Sequence, residues 1–332
     1  LHKSSHSFPT RRSSDLFVRY YNSLLTEHRD IGLGWRHAYS TTLTVTSARN
    51  GDQSARLTRA DGRVLVFNKP AGKTQFGSDA LTVGRFRQLA GANVFEYTDG
   101  DDVRERFELP ASRSASRGTI TRLLLTLRYD PRSGRRENLV YDQQRRLSAV
   151  HGRFGRSLRF VHDAAGRLRE MTDPAGRRYV YDYDRLGHLI RVTYPDLDDR
   201  ADDGASRNNN PVRAYRYDDP DWPKGLTDIV DESGSVYAHW DYDTRGRALV
   251  SEHAGGAQRV VFDYQGAYTA ITDALGQTRS YNTQIEAGVG LISAVTGGDC
   301  NFCGAGPLAS TTYDSNGQRN LIADHAGNVT DF

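Results

Sequence analysis

The hydrophobic and polar residues in the second half of the chain alternate with the period of a β-strand. Between Arg178 and Tyr183, three tyrosines fall on one face, and the Arg, Val and Asp that alternate with them fall on the other. Apolar residues at helical spacing are not visible in this half of the sequence. The pattern predicts an all-β protein whose strands are about 4 to 8 residues long.

The predicted turns between these strands share one pattern, which is Asp, two variable residues and Gly. Asp at the first position of a type I turn accepts a hydrogen bond from the backbone two residues on, and Gly at the fourth adopts the left-handed conformation that closes a bulged hairpin. Neighbouring copies lie about 10 to 12 residues apart, so two copies describe one antiparallel hairpin. The predicted turn residues are Asp163 and Gly166, Asp173 and Gly176, Asp184 and Gly187, Asp231 and Gly234, Asp243 and Gly246, Asp273 and Gly276, Asp314 and Gly317, and Asp324 and Gly327. Looser copies lie at Tyr129-Asp130 and Tyr141-Asp142.

The chain divides into three predicted segments. Residues 1–16 form a leader, and residues 6–16 look like a translated sequencing adapter; a natural polar leader is the alternative. Residues 17–120 form a β-rich segment, with a boundary near 120 at an Arg- and Ser-rich stretch. Repeats occupy residues 121–332, with a polar insertion near 196–211. Because the chain starts at Leu1 and ends just after a turn motif, we expect a piece of a longer protein.

Composition and charge exclude several classes of function. The 44 Lys and Arg residues nearly balance the 41 Asp and Glu residues, which leaves a net charge of +3 and argues against wholesale binding of nucleic acid or anionic lipid. No stretch approaches the roughly 18 to 20 apolar residues that a membrane span needs. The sequence lacks a nucleophile elbow, a phosphate-binding loop, a His-Glu-x-x-His motif and a dinucleotide fingerprint. We therefore expect no enzyme activity, no catalytic or metal-binding residues and no cofactor.

Two small clusters leave alternatives open. Cys300 and Cys303 are interpreted as a structural pair, either as thiols or as a disulfide, and half of a zinc site or a redox pair are the alternatives. An acidic loop contains five aspartates within residues 196–203, and a solvated loop is favoured over a calcium site because the order of ligands fits no helix-loop-helix calcium loop.

Arginine is concentrated between residues 113 and 159. This stretch contains twelve arginines and three acidic residues, an excess of nine positive charges. The favoured interpretation is that these arginines keep the sheet soluble and protect its strand edges from pairing with other chains. A basic face for nucleic acid or an acidic cargo is the alternative.

The repeated pattern resembles the YD-repeat, or Rhs (rearrangement hotspot), family, whose repeats carry Tyr-Asp-x-x-Gly-Arg-Leu. The segments that begin at Tyr183 and at Tyr242 match this motif closely. Residues 19–23 and residues 32–39, with the sequence Gly-Leu-Gly-Trp-Arg-His-Ala-Tyr, are similar to the segment that precedes such repeats in bacterial Rhs proteins. The resemblance covers roughly residues 17–332.

The resemblance implies a fold and a function. The hairpins would form one continuous sheet that spirals into a hollow shell, open here because the chain is truncated. The implied function is a non-catalytic shell or carrier module that encapsulates a C-terminal toxin domain of the same polypeptide, missing here, for interbacterial competition. A secretion-system component and an immunity protein are further implied partners, nucleic acid is not, and the protein would be secreted or at the bacterial cell surface. Because YD repeats also occur in animal cell-surface receptors and in insecticidal toxin complexes, a binding or adhesion module is the alternative.

Overall fold

A computed structural model describes residues 17–23, 25, 28–78, 84–89, 93–109, 120–195, 210–266, 268–286, 289–297, 308–313, 319–324 and 327–331. The predicted leader, the acidic loop, the cysteine pair Cys300 and Cys303, and the turn residues Asp314 and Gly317 lie outside the described residues. The interpretations given for them remain predictions.

The regular elements are β-strands, apart from two single turns of 3-10 helix at Arg153–Gly155 and Ala254–Gly256. The all-β prediction is therefore confirmed. The first twelve strands are β1 (Arg19–Tyr21), β2 (His28–Arg29), β3 (Gly32–Leu33), β4 (Trp35–His37), β5 (Thr42–Ser47), β6 (Gln53–Thr58), β7 (Val64–Lys69), β8 (Gly77–Ser78), β9 (Gly84–Gln88), β10 (Val94–Asp99), β11 (Arg104–Glu108) and β12 (Ile120–Asp130). The next eight are β13 (Arg135–Tyr141), β14 (Leu147–His151), β15 (Ser157–His162), β16 (Leu168–Thr172), β17 (Arg178–Tyr183), β18 (Leu189–Thr193), β19 (Val212–Arg216) and β20 (Asp228–Val230). The last nine are β21 (Val236–Tyr242), β22 (Ala248–His253), β23 (Ala257–Gln265), β24 (Tyr268–Thr272), β25 (Thr278–Glu286), β26 (Val289–Thr296), β27 (Leu308–Tyr313), β28 (Arg319–Asp324) and β29 (Val329–Asp331). Across the part that the structure describes, no helix is long and apolar enough to cross a membrane.

The chain forms two compact units, Leu1–Tyr215 and Arg216–Phe332. In the first unit, β5 pairs with both β6 and β12, and β9 to β12 pair in chain order. Strands β5 and β12 therefore lie side by side, with Leu43 opposite Leu123. Large apolar side chains of strands β5 to β12 form a buried core, which includes Leu43, Leu57, Phe67, Phe107, Leu123 and Leu125. Because β12 also pairs with β13, the sheet continues past the boundary predicted near residue 120.

Strands β12 to β19 follow one another as antiparallel neighbours. Their register shifts at Val140/Tyr141, Val161/His162 and Asp182/Tyr183, each time just before an Asp-led turn. A shift of this kind is a β-bulge, which bends the strand and raises its twist. The hairpins are therefore bulged at the turns led by Asp142, Asp163 and Asp184, whereas the strands on either side of the Asp173 turn pair without a shift.

One face of this sheet is apolar and aromatic, and we call it the tyrosine face. It carries Leu139, Val150, Phe160, Met171, Tyr181, Tyr183 and Val192. The N-terminal segment packs on it, because the ring of Phe17 lies 5.4 Å from that of Phe160 and Trp35 meets Tyr215 edge to face at 4.9 Å. The alternation of the strands thus separates a covered aromatic face from a polar one.

The second unit is built in the same manner. Strands β20 to β26 pair as antiparallel neighbours in chain order, and β27 to β29 form a three-stranded sheet. A register shift at Asp241/Tyr242 again precedes an Asp-led turn.

Candidate functional site

The Asp-x-x-Gly turns share one hydrogen-bond geometry. The N–H of Gly166 donates to the carbonyl of Asp163 at 3.0 Å, and the N–H of Asp163 donates to the carbonyl of Arg167 at 2.8 Å. The N–H of Arg167 returns a bond to Asp163 Oδ1 at 2.8 Å. The glycine φ angles lie between +74° and +88°, in the left-handed region. The turns with this geometry are Asp163 to Gly166, Asp173 to Gly176, Asp184 to Gly187, Asp231 to Gly234, Asp243 to Gly246, Asp273 to Gly276 and Asp324 to Gly327.

In several of these turns, the side chain of the residue after the glycine contacts the second carboxylate oxygen of the turn Asp. The Nε of Arg167 donates to Asp163 Oδ2 at 2.8 Å, and His188 Nδ1 lies 2.7 Å from Asp184 Oδ2. Arg177 and Arg247 repeat the first contact. Partial burial opposes ionisation of Asp163, but the hydrogen bonds from the backbone and side chain of Arg167 outweigh it and hold the pKa of that carboxyl below its usual value. The carboxylate is ionised and occupied within its own turn.

At several turns a tyrosine joins a hairpin to an earlier one in the sheet. The hydroxyl of Tyr183 donates to the carbonyl of Leu168 at 2.7 Å, fifteen positions earlier in the chain. The guanidinium of Arg167 lies 4.5 Å from the centre of the same ring, within cation–π range. Tyr264 repeats both contacts, with the carbonyl of Ala248 at 2.9 Å and Arg247 at 4.1 Å. We call this pair of contacts the hairpin latch.

The hydroxyl part of the latch recurs beyond these two hairpins. Tyr141 donates to the carbonyl of Leu125 at 2.8 Å and Tyr242 to that of Leu226 at 2.9 Å, each over sixteen positions. Sequence reasoning assigned roles to Asp and Gly but missed this function of Tyr and Arg. The signal was present at two of the four tyrosines, Tyr183 and Tyr264, as an Arg-Leu or Arg-Ala pair whose second residue lies 15 or 16 positions before the Tyr.

Residues 32–39, which we call the glycine-rich block, and the neighbouring Asp30 lie against two repeat turns. Leu33 N–H donates to the carbonyl of Gly187 at 3.0 Å, and Leu168 N–H donates to the carbonyl of Asp30. Gly32 has a φ of +95°, and a Cβ on it would lie 2.7 Å from the oxygen of Gly187. A glycine is therefore required at position 32 by both its conformation and its close approach to the repeat.

Arg19 anchors the same segment on the tyrosine face. Its guanidinium lies 5.9 Å from the ring centres of Tyr181, Tyr194 and Tyr215, and it donates to the hydroxyl of Tyr194 at 2.6 Å. Cation–π contacts strengthen when the cation is desolvated, as it is here. The first strand and the repeat sheet are thus held together by a partly buried charge among aromatic rings.

Several arginines of the basic stretch are ion-paired. Arg128 contacts Glu105 at 3.0 Å and Arg135 contacts Glu137 at 2.7 Å, and both carboxylates are buried. Arg132 pairs with Asp101 and Arg146 with Asp142. Part of the positive charge of this stretch is therefore neutralised by carboxylates of the same sheet, and such arginines have a structural role.

Asp30, His37 and Ser40 form the arrangement nearest to a catalytic one in the described residues. His37 Nε2 lies 3.3 Å from Asp30 Oδ2, and the Ser40 hydroxyl donates to the same oxygen at 3.2 Å. His37 Nδ1 accepts from the N–H of Tyr39. Because the serine contacts the carboxylate and not the imidazole, the nucleophile-to-base hydrogen bond of a triad is missing. The described residues also contain no group of three or more His, Cys, Asp or Glu side chains that could hold a metal.

In the second unit, sequence reasoning missed a histidine between two carboxylates. His239 Nδ1 lies 3.0 Å from Asp228 Oδ1, and its Nε2 lies 3.1 Å from Asp241 Oδ1. Both nitrogens can donate only in the charged imidazolium. Partial burial lowers the pKa of His239, but the hydrogen bond to Asp228 and the charge of Asp241 outweigh it, so the pKa is raised.

Two family models match the chain. The RHS Repeat model matches residues 162–197, which span β16 to β18 and their Asp-led turns. A Domain of unknown function (DUF6531) matches residues 6–67, which include the glycine-rich block and begin inside the predicted leader. No curated protein matches the chain.

Solved structures of low sequence identity also align with the chain. The crystal structure of TcdB2-TccC3-Cdc42 is 11% identical over 88% of this chain, with a TM-score of 0.36, and the chain spans 19% of its length. The N-terminal domain of effector protein SpvB from Salmonella typhimurium strain LT2 is 14% identical over 90% of this chain and 98% of its own, with a TM-score of 0.26.

The antiparallel hairpins, their Asp-x-x-Gly turns and the latches between them define a β-hairpin repeat protein. The RHS Repeat model matches one stretch of these hairpins, residues 162–197, so over that stretch the chain is similar to the Rhs, or YD-repeat, proteins.

Two of the turn glycines allow conformational strain to be separated from packing. Gly246→Ala should destabilise the protein more than Gly276→Ala. Both residues have left-handed φ angles, at which a Cβ costs about 1–2 kcal/mol. At Gly246 the Cβ would also lie 2.6 Å from the ring of Trp222, and overpacking adds about 1–3 kcal/mol, whereas at Gly276 no described atom lies within 4 Å. Urea unfolding measures both variants, and equal losses would contradict the packing argument.

Tyr183→Phe removes the hydroxyl of one latch and retains the ring. We expect a loss of about 0.5–1.5 kcal/mol in the free energy of unfolding, because one hydrogen bond is lost and the carbonyl of Leu168 is left without it. Amide exchange should accelerate in the hairpin of residues 163–172. Tyr268→Phe, on an exposed side chain, is the control and should change neither quantity. Identical behaviour of the two variants would show that the hydroxyl contact contributes nothing.

The histidine cluster should make stability depend on pH. Because the pKa of His239 is higher in the folded than in the unfolded state, its contribution is fully present below the unfolded pKa and is lost as pH rises through the folded pKa. His239→Gln should therefore lower the free energy of unfolding more at about pH 5.5 than at about pH 9. His151→Gln is the control, since that ring contacts Ser157 and not a carboxylate. The prediction fails if the loss in His239→Gln is the same at both pH values.

Proposed function

We propose that the chain is a non-catalytic shell module of a bacterial Rhs-type toxin, which encapsulates a C-terminal toxin domain of the same polypeptide for interbacterial competition. The hairpin latch carries this proposal. A single hairpin is marginally stable in water, whereas latched hairpins extend one sheet by repetition. Such a sheet is a wall with two different faces, as a container requires.

The state of the polar residues supports a role without catalysis. In five of the seven described Asp-x-x-Gly turns the carboxylate accepts bonds from its own turn on both oxygens, as Asp163 does from the backbone and side chain of Arg167. The tyrosine hydroxyls donate to backbone carbonyls of neighbouring hairpins. The turn carboxylates and the latch tyrosines are therefore committed to holding the sheet together.

The N-terminal segment illustrates how a polypeptide can pack on the tyrosine face. In the first unit, Phe17 and Arg19 lie among the aromatic rings of this face. In the second unit, the face of the latch tyrosine carries Phe262, Tyr264 and Ile271, all of them partly exposed. We propose that the toxin domain contacts this face.

The proposal extends to partners and location. A protein of this kind would be secreted by a bacterium or displayed on its surface, would require a secretion-system component for delivery, and would be accompanied by an immunity protein against the toxin.

Photocrosslinking in the full-length product of the gene tests encapsulation. A benzophenone amino acid replaces Phe262, on the face of the second unit that carries the latch tyrosine Tyr264, or Asp263, which points to the opposite face of the same strand. We expect crosslinks to the C-terminal domain from position 262 and none from position 263. Internal crosslinks from neither position, together with binding of the protein to cell surfaces, would favour an adhesion module. Internal crosslinks of equal yield from both positions would also overturn the proposal.

A further inference from the structure

A polar cavity lies where the N-terminal segment meets the repeat sheet in the first unit. Its volume is about 640 Å³, within the range of sites that bind small ligands. Its walls come from His37 and residues 39–42 of the N-terminal segment, from β12, and from the two Asp-led turns at 142–146 and 163–167. Its lining is marked by charged side chains, namely Asp30, Arg122, Arg145 and Arg167.

One wall residue departs from the repeat pattern. Arg145 occupies the turn position at which the neighbouring repeats have glycine, and its φ is +64°. The turn is otherwise unchanged, because the N–H of Arg145 donates to the carbonyl of Asp142 at 2.9 Å and the N–H of Arg146 donates to Asp142 Oδ1 at 2.8 Å. Glycine would form this turn without strain, so the turn does not require the arginine. Strained residues of this kind concentrate at functional sites.

The strained residue Arg145 contributes a positive charge to the wall of the cavity. Four non-glycine residues in the described part have a positive φ, and Arg145 is the one of them that lines this cavity. Its side chain forms no ion pair or hydrogen bond with the residues that the structure describes.

A second arginine and a threonine share this lack of partners. Arg122 of β12 lines the cavity, and its guanidinium is likewise without an ion pair or hydrogen bond in the described part. Thr41 also lines the cavity; it is 2% exposed, and its buried hydroxyl finds no hydrogen-bond partner among the described residues. A buried hydroxyl without a partner is costly, and a ligand oxygen would satisfy it.

The other charged residues of the lining are Arg167, which is paired with Asp163 at 2.8 Å, and Asp30, which accepts a hydrogen bond from Ser40 and lies 3.3 Å from His37. Arg145 and Arg122 therefore outnumber the single carboxylate of the lining, and the cavity has a positive excess. Guanidinium groups bind carboxylate and phosphate oxygens through paired, charge-assisted hydrogen bonds.

We propose that this cavity is a binding site for an oxyanion, a carboxylate or a phosphate group, with Arg145 and Arg122 as its charge partners. The anion comes either from a free small molecule or from acidic side chains of a polypeptide. The proposal is independent of the container function, since it concerns a site formed within the first unit.

Isothermal titration of the 332-residue protein tests the site at constant ionic strength. The probes are inorganic phosphate, citrate and a capped tri-glutamate peptide. Arg145→Gly restores the usual turn residue, so it should leave the melting temperature unchanged or raise it while weakening binding at least tenfold. Arg122→Gln should weaken binding to a similar extent. Arg159→Gln, on an exposed arginine of β15 outside the cavity, is the charge-matched control and should bind as the unmodified protein does.

Each outcome decides the proposal. Binding of phosphate or citrate that depends on Arg145 and Arg122 supports a small-molecule ligand, and binding of the peptide alone supports a polypeptide ligand. Absence of binding by all three probes overturns the proposal. Binding that survives Arg145→Gly and Arg122→Gln, or that weakens equally in Arg159→Gln, overturns it as well. If Arg145→Gly lowers the melting temperature, Arg145→Asn replaces it, because asparagine also tolerates the left-handed conformation.

Discussion

The bond from a tyrosine hydroxyl to a carbonyl of the preceding hairpin is the interaction on which the rest of the repeat depends. The ladder of backbone hydrogen bonds alone allows neighbouring hairpins to twist and shift against one another. The bond from Tyr183 to the carbonyl of Leu168 fixes the distance between two successive turns. Arg167 places its charge over the same ring, and it is itself positioned by the ionised Asp163. Asp, Arg and Tyr therefore act in series, and loss of any one of them weakens the contact between hairpins.

This series also explains why the repeat has so little reactive chemistry. A carboxylate that accepts bonds from a backbone N–H and a guanidinium is held ionised, and a tyrosine hydroxyl that donates to a carbonyl inside the sheet cannot serve a substrate. The side chains outside this series lie on the two faces of the sheet and at positions that depart from the pattern. Arg145 is such a position, since it keeps the turn hydrogen bonds and replaces the glycine that other repeats use.

The turns could be predicted from the sequence because their chemistry is local. Asp163 and Gly166 are three residues apart, and the preference of each for its turn position does not depend on the rest of the chain. The alternation of Tyr179, Tyr181 and Tyr183 likewise identified one face of a strand. The latch could not be derived in the same way, because its partners are about sixteen residues apart and meet only when the register of two further strands is known. The cavity depends on still more distant contacts, between the N-terminal segment and turns more than a hundred residues away.

The close approach of Gly32 to Gly187 shows how such distant contacts restrict the sequence. The carbonyl of Gly187 accepts a bond from Leu33, and this bond requires the backbone of the N-terminal block to lie directly on the repeat turn. A side chain at position 32 would separate the two backbones, since its Cβ would lie 2.7 Å from that oxygen. Gly187, for its part, adopts the left-handed φ of +88° that this turn uses, which glycine takes without strain. Two glycines that serve different purposes in the sequence thus become one contact in the fold. Through this contact the N-terminal segment covers the aromatic face, which would otherwise be a large exposed apolar patch on the first hairpins.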